Sequence, residues 1–182
     1  MACLTAVGMI AQSIMGYHDF EVGRYVQLLL ALQLPEYLIF AALAFAVHAG
    51  VNHKYGGMLV ALIAYFLIIF ASFLGIEHKL LVYGATPEWS FTDMRGFGAT
   101  LGPWAWFELY WAAWALLLAV AARVFWPRGK ESRLGARLRD ARRRLTRSTI
   151  GVAAAAAALV LVVGGFIFYN TNVLNEYITK DE

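Results

Sequence analysis

Apolar residues in this chain fall in long blocks separated by short polar punctuation. Residues 58–76 contain no charged group, residues 150–169 contain none, and residues 104–126 carry only Glu108 and Arg123. A helix needs about 20 apolar residues to cross a hydrocarbon core roughly 30 Å thick. The blocks therefore predict an all-α fold, a polytopic transmembrane helical bundle of about five spans. The expected spans are residues 1–16, 36–51, 58–76, 104–126 and 150–169. The first offers only 16 residues and reads as a short or truncated helix.

The polar intervals carry their own signals. From Phe20 to Leu34 the pattern is partly amphipathic: Val22, Tyr25, Val26, Leu29 and Leu30 share a face, with Glu21, Arg24 and Gln27 towards another. Such a segment either lies in the headgroup layer or extends the next span, and the pattern leaves both open. Pro35 suits a first helical turn. Residues 52–57 form a polar turn, and Gly102-Pro103 marks the start of the fourth span. Residues 77–103 form a loop of 27 residues, longer than an ordinary connector, in which Ser90 and Asp93 have capping-box spacing. Leu134, Leu138 and Leu145 recur at helical spacing among arginines, which predicts a surface helix within 130–147.

Charge sets the expected orientation. Between Arg123 and Arg147 lie 10 of the 15 basic residues, opposed only by Glu131 and Asp140. Carrying one such cation to the bilayer centre costs roughly 2.5–3.5 kcal/mol, so the connector at 127–149 is expected to stay cytoplasmic. Alternating the spans from that loop places 11 basic residues inside and 4 outside, with the C-terminus extracytoplasmic. Residues 1–177 then form one membrane domain and 178–182 a short outer tail. A cell inner (plasma) membrane is the expected location. Because the basic cluster joins two spans, its expected partner is an anionic lipid headgroup layer, and nucleic acid is not expected.

At 61% hydrophobic and 15% charged, the chain is too apolar for a soluble domain of its length. Cys3 is the one cysteine, which excludes an intrachain disulfide and a cysteine-built zinc site. No phosphate-binding loop and no H-E-x-x-H motif is present. His18, His48, His53 and His78 read as interfacial or packed residues, since His48 and His53 are five apart and the others fall on the opposite side. No catalytic constellation emerges, so the chain is not expected to be an enzyme, nor to hold a metal or cofactor. Glu108 is the candidate intramembrane acid. Lying four residues into the expected span among tryptophans, it is expected at the interface. Arg137, Arg139, Arg142, Arg143 and Arg144 are candidates for docking lipid or a protein partner.

Several stretches carry a resemblance. They are Phe20–Tyr25 (FEVGRY), Leu32–Tyr37 (LQLPEY), Gly75–His78 (GIEH), Gly102-Pro103-Trp104 leading into Tyr110–Trp114, and Gly165–Tyr177 (GFIFYNTNVLNEY). Together they resemble the last membrane segments of bacterial ABC transporter permeases fused to a zinc aminopeptidase domain. The resemblance spans nearly the whole chain, and the Phe166–Tyr177 stretch is its most specific part. It implies a membrane-embedded permease segment of an ABC-type exporter, a fragment or split form that works with a separate ATPase and packs against further spans or a second copy. It equally allows a membrane anchor for an extracytoplasmic aminopeptidase with no transport role. No catalytic residue is carried over, because the peptidase positions are not in this sequence.

The predicted orientation is checked with cysteines introduced at Ser132 and Asn175 and a membrane-impermeant reagent added to intact cells. Label is expected at position 175 and not at 132; the reverse pattern overturns the layout.

Overall fold

A computed structural model describes residues 2–16, 22–51, 53–90, 96, 98–126 and 134–174. Its elements in order are α1 (Ala2–Ile14), α2 (Val22–Gln27), a π-helical stretch (Leu28–Gln33), α3 (Leu34–Val51), α4 (Lys54–Ile69), α5 (Gly98–Phe125), α6 (Leu134–Arg144), α7 (Arg147–Tyr169) and a π-helical end (Asn170–Leu174). The chain divides into two compact units, Met1–Leu38 and Ile39–Glu182.

In the first unit, α1 stops at Gly16, whose φ of +83° is open to glycine and strained for other residues. Helical winding runs through Tyr25–Val51, 27 residues, so of the two readings left open for 20–34 the structure takes the extension of the next span. Pro35 has no N–H to offer the carbonyl four residues back, at Ala31. That carbonyl lies in the wider π winding of Leu28–Gln33, which absorbs the mismatch.

In the second unit, α3 and α4 form a tight hairpin. His53 Nδ1 accepts the Gly56 N–H at 3.1 Å and caps α4. His48 Nδ1 lies 2.8 Å from the Ala44 carbonyl, and a Cβ on Gly57 would come within 2.9 Å of the His48 ring. His53 thus caps α4, and the His48 ring packs against Gly57.

Helix α4 ends at Ile69, seven residues short of the expected boundary. Phe70–Gly75 continue as tight turns, with Ala71 N–H to Ile68 O (3.4 Å), Leu74 N–H to Ala71 O (3.0 Å) and Gly75 N–H to Ser72 O (3.1 Å). Gly75 closes them at φ +77°. Hydropathy alone does not register this change, because the residues stay apolar while the winding tightens.

Helices α5 and α7 make the core. The buried positions of α7 are Thr149, Ala156, Val160, Val163 and Ile167, a near-heptad seam. Val160, Val163 and Ile167 pack with Phe107, Tyr110, Trp111 and Ala113 of α5 and Ile39 of α3. Tyr110 lies where a Cβ on Gly164 would approach its ring to 2.9 Å, so glycine lets the two helices close. Helix α7 begins at Arg147 because the Thr146 side chain accepts the Thr149 N–H at 3.3 Å. Helix α5 begins at Gly98, before the expected Gly102-Pro103 start.

Among the described residues three helices are long and apolar enough to cross a membrane: Tyr25–Val51, Thr100–Phe125 and Arg147–Leu174. Their outer faces suit lipid; Leu161 and Val162 are 76% and 70% exposed. The other two expected spans are shorter as helices. At 1.5 Å per residue, α1 reaches about 20 Å and the apolar stretch Tyr55–Ile69 about 22 Å.

The α5–α7 seam predicts a contrast between adjacent glycines. Gly164→Val should lower stability in detergent by about 1–3 kcal/mol through overpacking against Tyr110. Gly165→Val, whose Cβ meets nothing within 4 Å, should leave the melting temperature nearly unchanged. Equal melting temperatures for the two variants would contradict the packing described.

Candidate functional site

Residues 76–90 contain no helix, yet side chains from three neighbouring elements hold them. Tyr83 Oη donates to the Ile39 carbonyl at 2.9 Å. Its ring meets Trp111 edge-on, centroids 5.2 Å apart. Trp111 Nε1–H donates to the Ala85 carbonyl at 2.9 Å. Further along, the Ser90 N–H and C=O both meet Thr100 Oγ1 at 3.3 Å. His78 joins from the other end: its Nδ1 accepts the Leu80 N–H at 3.2 Å and its Nε2 lies 3.2 Å from the Asn172 side chain.

Two of these ties define a path. Thr100 and Trp111 are 11 residues apart on α5, a rise of about 16.5 Å. Ala85 and Ser90 are five residues apart, which an extended chain covers in about 17 Å. Residues 85–90 are thus an extended strap running antiparallel to α5 between those anchors. On α5, Thr100, Trp104, Glu108 and Trp111 are spaced four, four and three, which puts them on one stripe. Trp104 and Glu108, the two middle residues of that stripe, are each 8% exposed.

Glu108 lies ten residues into α5, which starts at Gly98, and it is buried within the protein. Trp104 Nε1 is buried with no hydrogen-bond acceptor among the described residues. Burial raises the Tyr83 hydroxyl to about 12, so it stays a donor to Ile39 across physiological pH.

Two clefts adjoin this region. One of about 360 Å³ separates the end of α4 from the strap and is bordered by Ser72, Glu77, Lys79 and Glu88. The other, about 390 Å³, lies between Gly102, Pro103 and Trp106 of α5 and Phe166, Asn170 and Thr171 at the end of α7. Among the described residues no group of three or more His, Cys, Asp or Glu could hold a metal ion.

The basic candidates lie apart from the strap. Helix α6 carries Arg139, Arg142 and Arg143 exposed. Arg137 lies in the same helix, and its side chain is outside the described residues. Arg144 turns inward: its Nη1 donates to the carbonyls of Val124 (3.2 Å) and Trp126, capping the C-terminal end of α5. Its first role is thus structural. Asp93 of the expected capping box lies outside the described residues, while Ser90 spends its backbone groups on Thr100.

Tyr83, Trp111 and Thr100 were not visible as site residues in the sequence, where an aromatic or hydroxyl within an apolar block reads as packing. Glycine density and length marked the loop as unusual, and that was the available signal. Comparison of the chain with protein-family models, curated proteins and solved structures returns no match.

If the Trp111 indole N–H pins the strap, Trp111→Phe orphans the Ala85 carbonyl at a local cost of about 1–3 kcal/mol. Hydrogen exchange at Thr86, Glu88 and Trp89 should then rise by roughly ten- to a hundredfold. Exchange unchanged at all three amides would show that the strap is held some other way.

Proposed function

We propose that this chain is a membrane-embedded permease segment of an ABC-type exporter in a cell inner membrane, a fragment or split form that acts with a separate ATPase subunit. The observation that carries the reading is Glu108, a carboxylate buried within the protein on an apolar helix. Ionisable groups within a spanning helix are expensive and are kept where a polar species must be met inside the membrane. The non-helical segment 76–90 is tied to that helix through Trp111 and is bordered by a cleft, an arrangement suited to a polar path.

In this reading the bundle has five spans, α1 and the α4 region completing the three long helices. Helix α6 is cytoplasmic and the C-terminus extracytoplasmic. The near-heptad seam of α7 uses one face, and its exposed side, with Gly151, Ala154 and Ala158, is left for further spans or a second copy. The second reading, a plain anchor for an extracytoplasmic aminopeptidase, gives Glu108 no task.

Glu108→Gln separates the two in vesicles reconstituted with the ATPase. A permease segment should lose most of its transport-coupled ATP turnover while remaining inserted and folded. Full turnover in the variant, or no coupled turnover in the wild type, favours the anchor.

A further inference from the structure

The short connection between α5 and α7 fixes the depth of α6. Its C-terminal end is tied to α5 by Arg144, which reaches the carbonyls of Val124 and Trp126. Only Leu145 and Thr146 separate it from α7. Ala141, 4% exposed, is its buried contact, and α6 packs on α5. The last turn of α6 therefore sits level with the ends of two membrane helices, beside Phe125 and Trp126, both partly exposed. Aromatic rings at a helix end favour headgroup depth. The arginine-bearing end of α6 is thereby held near the ends of α5 and α7.

The exposed side of α6 has the chemistry for that position. Leu138 of α6 and Leu145, just beyond its end, are 59% and 46% exposed, while Ala141 is buried. Arg139, Arg142 and Arg143 are exposed beside them. Arg147 at the start of α7 and Arg123 in the last turn of α5 are exposed at the same end of the bundle. Asp140 is the one acid in α6. Apolar side chains flanked by guanidinium groups match acyl chains flanked by phosphates, and guanidinium forks pair phosphate oxygens two at a time.

We propose that α6 is a docking surface for anionic phospholipids of the adjacent leaflet. Leu138 and Leu145 enter the acyl boundary, while Arg139, Arg142 and Arg143 bind headgroup phosphates, with Arg123 and Arg147 adding to the field. Arg144 is excluded from this contact because it caps α5. The inference is independent of transport and holds for a permease segment or an anchor alike.

The test is native mass spectrometry of the full chain released from nanodiscs of mixed phosphatidylcholine and phosphatidylglycerol. The wild type should retain phosphatidylglycerol in preference to phosphatidylcholine. Each cation near an anionic surface is worth roughly fivefold in binding, so the combined variant Arg139→Gln/Arg142→Gln/Arg143→Gln should lose at least about tenfold of that enrichment. The matching lysine variant keeps the charge, serves as the folding control and should keep most of the enrichment. Added inorganic phosphate should not displace the lipid; full displacement would mark a phosphate site instead and overturn the proposal. Equal retention of both lipids by the wild type, or enrichment unchanged in the glutamine variant, overturns it as well. So does loss of ATPase co-purification in the glutamine variant with lipid enrichment intact, which would assign the surface to a protein partner.

Discussion

Backbone polar groups in an apolar surrounding must find partners within the protein, and a helix provides them automatically. Residues 76–90 leave the helix, so their carbonyls and amides must be met one at a time. Trp111 meets Ala85, Thr100 meets Ser90, and the ring of His78 meets Leu80. Tyr83 makes the reciprocal move and uses its hydroxyl on Ile39. Trp111 and Tyr83 suit these ties because each ring has enough apolar surface to pack and one polar atom to donate, while His78 and Thr100 accept amide protons.

The α5–α7 pair provides the fixed frame for these ties. Its seam is close because Gly164 admits the Tyr110 ring and because Val160, Val163 and Ile167 recur at three- and four-residue steps. The rest of α7 has little to do with protein packing, as the exposure of Leu161 and Val162 shows. One face of the helix thus fixes the bundle while the other faces outward.

Much of this was legible in the sequence. Long uncharged blocks give spanning helices almost by length alone, and Leu134, Leu138 and Leu145 among arginines give α6 from periodicity. What periodicity cannot see is the way a backbone is satisfied. Phe70–Gly75 are as apolar as the helix before them, so the change from α winding to turns leaves no mark in hydropathy. Gly102-Pro103 predicts the start of α5, and the helix begins four residues earlier, at Gly98, so its first turn escapes a reading based on proline. The strap depends on pairings between residues 10 to 26 positions apart, and one sequence read locally contains no record of them.

Arg144 joins two things that are usually separate. The same guanidinium fixes the position of α6 and satisfies the last carbonyls of α5. Lifting α6 away would therefore leave the end of a membrane helix without its donor, and fraying of that end would release α6 in turn. With only Leu145 and Thr146 before the Thr146-capped start of α7, a force applied to α6 has no slack in which to dissipate. At that end α6 is coupled to both long helices at once.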